Sequence, residues 1–130
     1  MNIQTNVKYT RTDEWVKVEG ALATIGISDY AQSQLSDIVY CDVTATPGAM
    51  LSKGATCATV ESVKAAADVT LPVSGKINEI NNALGKTPEI INTDPYGAAW
   101  MLKVEMSNPA ELDELMDAKA YEAYCQERSH

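Results

Sequence analysis

Two short strand-like runs, ATCATV at 55–60 and ADVTL at 67–71, are separated by only six residues, Glu61 to Ala66. These runs read as two strands returning on each other around a protruding turn. Gly54 stands ten residues before Lys64 and Gly75 eleven after it, while Pro72 closes the second run. Glycines so placed mark where the arms bend into the body of a sheet. A hairpin core over about 55–75 is expected, with Lys64 at its tip.

The flanking segments repeat this short-strand pattern. WVKV and ALATIGI, parted by Glu19-Gly20, form a second hairpin, and IVYCDV, KINEI and AWMLKVEM supply further strands. Ser28 is placed to cap a short helix over DYAQSQL, in which Tyr30, Ala31 and Leu35 face inward. Thr44 to Gly48 make a turn before Met50-Leu51, and NNALGKTPEIINTDPYG reads as a long surface connection containing a short helical turn. Asn108-Pro109-Ala110-Glu111 is an N-terminal helix signature, followed by an apolar stripe of Leu112, Leu115, Met116 and Ala120. It predicts a C-terminal helical segment over about 109–126. Many short strands without two long helices favour a mainly β sandwich or small barrel over a doubly wound sheet. At 130 residues, one domain over 1–130 is expected.

Charge and composition narrow the function. Eighteen acidic against ten basic side chains give a net charge of −8, spread along the chain. Such a surface repels phosphate backbones and argues against nucleic acid or an anionic membrane as the main partner. No stretch approaches the length of a membrane span, and MNIQTNVKYT lacks the apolar centre of a signal peptide. Cys41, Cys57 and Cys125 form no Cys-x-x-Cys pair, so neither a disulfide framework nor a zinc site is expected. These features together point to a soluble protein of a reducing compartment. The sole histidine, His130, is the last residue, which leaves no internal histidine for acid–base chemistry or metal ligation. The seven glycines form no phosphate-binding loop.

Ser62 and Lys64 have the spacing of a serine–lysine pair, but a working pair needs a desolvated lysine, and Ala65, Ala66 and Ala67 are too small to wall it in. No catalytic residue is therefore assigned. A lysine at a hairpin tip, flanked by small residues, suits a protein whose amine is acylated and carries the acyl group between active sites. A solvated surface lysine is the plain alternative.

Segments throughout the chain carry a resemblance: YTRTDEWVKVEG, ATIGISDYAQSQLSDIVY, ESVKAAADVTLPVSGKI, NNALGKTPEIINTDPYGAAWML and NPAELDELMDAKAYEA, in that order. Together they resemble the glycine cleavage system H proteins, and ESVKAA resembles that family's lipoylation motif. The resemblance implies a barrel-sandwich hybrid, the lipoyl/biotinyl hammerhead, with additional helices. It implies lipoate joined to the ε-amine of Lys64 and recognition of Glu61 by the lipoate-attaching enzyme. Its implied partners are glycine decarboxylase, aminomethyltransferase and dihydrolipoamide dehydrogenase, in a bacterial cytoplasm. The H protein is then a non-catalytic shuttle. An H-like lipoate relay to other complexes, or a binding protein with no covalent cofactor, is the competing reading.

Val63 and Ala65 stand where related biotin carriers have methionines, which implies selectivity for lipoate. By resemblance, the loaded arm folds back on a cleft near Ser28 to Gln32 and Glu61 to Ala67. Asp13 replaces a common histidine, Ser36 and Ala99 replace common glycines, and CDVTATPG is one residue longer than usual. Six acids after Ala110, against Lys119 and Arg128, read first as a solvated helix face; an acidic face that assists partner encounter is the sharper alternative.

Overall fold

The computed structural model describes residues 2–128, so His130 lies outside the described residues. Nine strands form in chain order: β1 (Lys8–Tyr9), β2 (Glu14–Glu19), β3 (Leu22–Ile27), β4 (Ile38–Asp42), β5 (Met50–Leu51), β6 (Thr56–Ser62), β7 (Ala66–Thr70), β8 (Gly75–Ile80) and β9 (Leu102–Met106). They build two antiparallel sheets, one of order β1-β2-β3-β9-β8-β5 and one of order β4-β6-β7. The helices are α1 (Asp29–Leu35), α2 (Ile90–Thr93) and α3 (Ala118–Arg128). This is the expected lipoyl/biotinyl sandwich with helical insertions.

Alternation along the strands supplies the core. Val16, Ala23 and Ile25 from the large sheet meet Cys41, Ala58, Val60 and Val69 from the small one, with Leu71, Ile77, Met101, Leu102 and Val104 filling in. A second cluster joins Val7, Tyr9, Trp15, Tyr30, Tyr121 and Cys125. Here the rings of Tyr9 and Tyr121 stack at 4.2 Å, fixing α3 against the β1–β2 end of the large sheet. All three cysteines are buried thiols.

The expected glycine symmetry has two different physical causes. Gly54 has φ +93°, which turns the chain into β6. Gly75 opens β8 where the partner strand comes close: a Cβ there would collide with the carbonyl oxygen of Glu105. Among the described residues, two other than glycine also take positive φ, Asp13 at 74° and Ser36 at 69°. Ser36 is one of the positions where the resemblance leads one to expect glycine. Asn92 of α2 holds its turn, donating to the Ser36 carbonyl at 2.9 Å and accepting from the Ile38 amide at 2.8 Å.

The C-terminal stretch, expected as one helical segment, is in two pieces. Asn108 provides no side-chain cap, and Pro109–Glu114 is a 3-10 turn. Leu115 is extended, and Met116 exchanges two 2.8 Å backbone hydrogen bonds with Tyr9 before α3 begins. Pairing with β1 thus outweighs helix continuation. The apolar stripe divides accordingly: Leu112 and Leu115 pack on the main core, Met116 joins the aromatic cluster, and Ala120 is exposed. Tyr121 and Cys125 are the buried face of α3. The long connection after β8 holds two helical turns rather than one, Asn82–Gly85 and α2.

These backbone observations make opposite predictions for two substitutions. Ser36→Gly should raise stability by about 1 kcal/mol, because strain of about 1–3 kcal/mol is relieved while some unfolded-state entropy is added. Gly75→Ala should lower it by about 2 kcal/mol or more through overpacking against β9. Urea unfolding of both variants beside the parent checks the pair.

Candidate functional site

Lys64 lies at the tip of the β6–β7 hairpin, exposed, where the sequence places it. The turn is built by Ser62. Its Oγ accepts from the amides of Lys64 at 3.1 Å and Ala65 at 2.9 Å and donates to the Ala65 carbonyl, while the Ser62 amide donates to that same carbonyl at 2.8 Å. Ser62 is therefore a turn-former, which accounts for the Ser-x-Lys spacing without a catalytic pair. The tip also leans on the α1–β4 connection: the Val63 amide donates to the Asp37 carbonyl at 3.0 Å, and Lys64 Nζ donates to the Gln34 carbonyl at 3.2 Å. Glu61, the expected recognition residue, is exposed on the outer face of the small sheet, opposite Tyr40 and Ala66.

Beside the tip, α1 and the hairpin enclose a cleft of about 180 Å³. Ile27, Ala31, Leu35, Val60, Ala67 and Val69 give it apolar walls; Thr12, Asp13, Glu14 and Asp68 give it a polar end, and Gln34 lies between it and Lys64. Of the two segments expected to form a cleft, Ala31 and Ala67 do line it. The polar end was not anticipated. Glu14 stands just before the WVKV run in sequence, and the available signal was its spacing from two threonines, Thr10 and Thr12.

Glu14 is 1% exposed. Its Oε1 accepts from the hydroxyls of Thr10 and Thr12, each at 2.6 Å, and its Oε2 accepts weakly from the Thr70 amide at 3.4 Å. Burial pushes its carboxyl above the ordinary value, and the three donors oppose that rise. Asp13 is compensated differently, accepting from Tyr121 Oη at 2.8 Å and pairing with Arg128 at 2.5 Å. That pairing holds the Arg128 guanidinium above its usual range. Burial likewise pushes the Cys41 thiol up to about 11 and the Cys57 thiol up to about 12, so neither is a ready nucleophile at neutral pH.

Five of the six C-terminal acids are exposed, and three of the six also make bonds within the chain. Glu111 binds Ser74 through its amide at 2.7 Å and its hydroxyl at 2.9 Å. Glu114 pairs with Lys53 at 2.9 Å, and Asp117 Oδ1 accepts from the Ala120 amide at the start of α3. Asp113, Glu122 and Glu127 are exposed, as are Glu114 and Asp117, and Glu111 is half-buried. Asp13, Ser36 and Ala99, the positions that depart from the resemblance, leave the Lys64 turn itself intact: Asp13 is at the cleft, Ser36 behind the tip, and Ala99 is buried.

The Glu14 carboxyl makes a pH prediction. Because its pKa is higher folded than unfolded, its contribution favours folding below the ordinary value near 4.5 and is lost as pH rises through the raised value. Glu14→Gln removes that loss. Urea unfolding at several pH values should show the parent losing stability relative to the variant as pH climbs from about 4 to about 7. A constant difference would mean that the donors fully offset burial.

A family model described as "Glycine cleavage H-protein" matches residues 7–128. The glycine cleavage system H protein of Thermotoga maritima is 50% identical over 118 residues, covering 91% of this chain and 94% of that one. That of Bacteroides fragilis is 48% identical over 123 residues, covering 95% and 97%. The crystal structure of a glycine cleavage system H protein from Mycobacterium marinum superposes with a TM-score of 0.83 at 32% identity, covering 98% of this chain and all of the other. No helix among the described residues is long and apolar enough to cross a membrane. Agreement of profile, relatives and three-dimensional fold over nearly the full length places the chain in the glycine cleavage system H protein family, whose members are non-catalytic carriers.

Proposed function

We propose that Lys64 is the acceptor for (R)-lipoate, joined through an amide at Nζ, and that the loaded chain shuttles within a bacterial cytoplasm between glycine decarboxylase, aminomethyltransferase and dihydrolipoamide dehydrogenase. The observation that carries this reading is an exposed amine on a stiff turn at the edge of an apolar cleft with an acidic end. Lipoate held on Lys64 would supply a redox-active disulfide able to accept an aminomethyl unit and to be regenerated from its dithiol.

This chain's residues supply position and shelter. Ser62 and Asp37 hold the tip, so that motion is confined to the long side chain beyond it. The apolar walls suit a hydrocarbon arm and exclude water. At the far end, Glu14, Asp13 and Asp68 suit a cationic amine, because a carboxylate favours a nearby positive charge most where water is scarce. Glu61 remains outside this cleft, available to the enzyme that attaches the arm.

The carrier reading predicts a mass increase of one lipoyl group after incubation with an active lipoate-attaching enzyme and its activated donor. Lys64→Arg should abolish both the increase and the glycine reaction, since a guanidinium is not acylated. Its stability should stay within about 0.5 kcal/mol of the parent because the tip is exposed. Intact-mass and urea-unfolding measurements on the same samples check this. Modification of the variant at another lysine, with the glycine reaction retained, would remove Lys64 from the assignment. Equal modification by a biotin ligase would remove the selectivity for lipoate.

A further inference from the structure

Strand β4 should alternate, yet it exposes two large apolar neighbours in succession. Its register is Ile38 opposite Ser62, then Tyr40 opposite Glu61, so Val39 is an extra residue without a partner of its own. This is a β-bulge on an edge strand. Ile38 and Cys41 remain buried, while Val39 is 56% exposed and Tyr40 47% exposed. Val63, immediately before Lys64, is 70% exposed. Among the described residues, three of the five exposed large hydrophobics therefore collect around the hairpin tip and Glu61. The other two, Val18 and Met50, belong to the large sheet.

We infer that Val39, Tyr40 and Val63 form the apolar centre of a docking surface for the enzyme that acylates Lys64; the inference rests on the carrier reading above. Reach selects this occupant. The acylating enzyme must bring its reacting atoms to Nζ itself, one lysine side chain from the tip, whereas the enzymes of the glycine reaction act at the far end of the arm. Adjacent strands are about 4.8 Å apart, so Tyr40 beside Glu61 falls within the contact zone of any protein that encloses the tip. The rim is acidic: Asp37, Asp42, Glu61 and Asp68 are all exposed. A complementary surface is apolar at its centre and basic around it. In the reaction, deprotonated Nζ attacks the carbonyl carbon of a lipoyl adenylate. The C–N bond forms, the C–O bond breaks with its electron pair leaving on AMP, and the surplus proton on nitrogen passes to a base.

The experiment measures steady-state acylation of the full chain by an active lipoate ligase with lipoyl adenylate, comparing the parent, V39T/Y40T, V63T and the control V18T/M50T. The two patch variants should raise KM for the carrier about tenfold with kcat within about twofold, at unchanged urea midpoint, while the control matches the parent. Added salt should raise KM for the parent. Parent acylated and V39T/Y40T acylated with the same KM would overturn the docking surface alone, and a parent left unmodified would overturn the carrier reading with it. After prolonged loading, V39T/Y40T should exchange with glycine decarboxylase within about twofold of the parent. An equal tenfold loss there would overturn the choice of the acylating enzyme as occupant.

Discussion

The hydroxyl of Ser28 accepts one hydrogen bond and gives another, and through it three distant parts of the chain become one frame. The Ala31 amide donates to Ser28 Oγ at 3.1 Å, capping α1. Ser28 and Tyr121 hydroxyls lie 2.6 Å apart, and Tyr121 Oη donates its single proton to Asp13. Ser28 must therefore be the donor to Tyr121. The direction runs from helix cap to tyrosine to carboxylate, where Arg128 adds its charge. A seven-residue helix has little stability alone, so α1 depends on this chain and on Asn92 at its other end. Because α1 and the turn bearing Asp13 are two walls of the cleft, the shape of the cleft follows from a bond made far along the sequence by α3.

Two carboxylates side by side are kept near the cleft by different means. Asp13 has a guanidinium partner that also lies over the rings of Tyr30 at 4.5 Å and Tyr124 at 4.0 Å. Glu14 has hydroxyls and a distant amide, and no cation among its hydrogen-bonding partners. A charge compensated by a bound arginine has less attraction to spare for an incoming amine than one compensated only by dipoles. On the proposed carrier reading, Glu14 is thus the stronger electrostatic anchor in the cleft, while Asp13 fixes α3 to its rim.

The hairpins, the cap at Ser28 and the tip at Lys64 were legible because each is determined by residues close in sequence. What was not legible depends on partners far away. Nothing near Leu115 announces the break before α3, since its cause is Met116 pairing with Tyr9. Asn108-Pro109 is a sound local signal for a helix, and it does start a helical turn, but tertiary pairing ends that turn within six residues. The strand-like composition of IVYCDV concealed its bulge, which is set by the register against β6. Glu14 escaped notice for the same reason: the residues that line the cleft with it come from α1 and the β6–β7 hairpin, and one of its donors is Thr70 of β7, none of them adjacent in sequence.

A carrier has to reconcile a mobile arm with encounters that begin at a defined place. Here the backbone on both sides of Lys64 is committed: Ser62 closes the turn on Ala65, and Asp37 holds Val63. Free rotation starts only beyond the Lys64 Cα, so an arm joined at Nζ would search a volume centred on a fixed point. For an enzyme docked beside that point, the fixed centre raises the effective concentration of the arm's end without enlarging the interface. A softer tip would spread the same arm over more space and dilute it. The strain at Ser36 belongs to this arrangement, because the turn it forms delivers the Asp37 carbonyl to Val63 and the Gln34 carbonyl to Lys64 Nζ. The Gln34 contact alone involves the ammonium charge, and the backbone bonds that set the tip would remain after that charge is lost to an amide. The tip can thus keep its position while the group it bears changes.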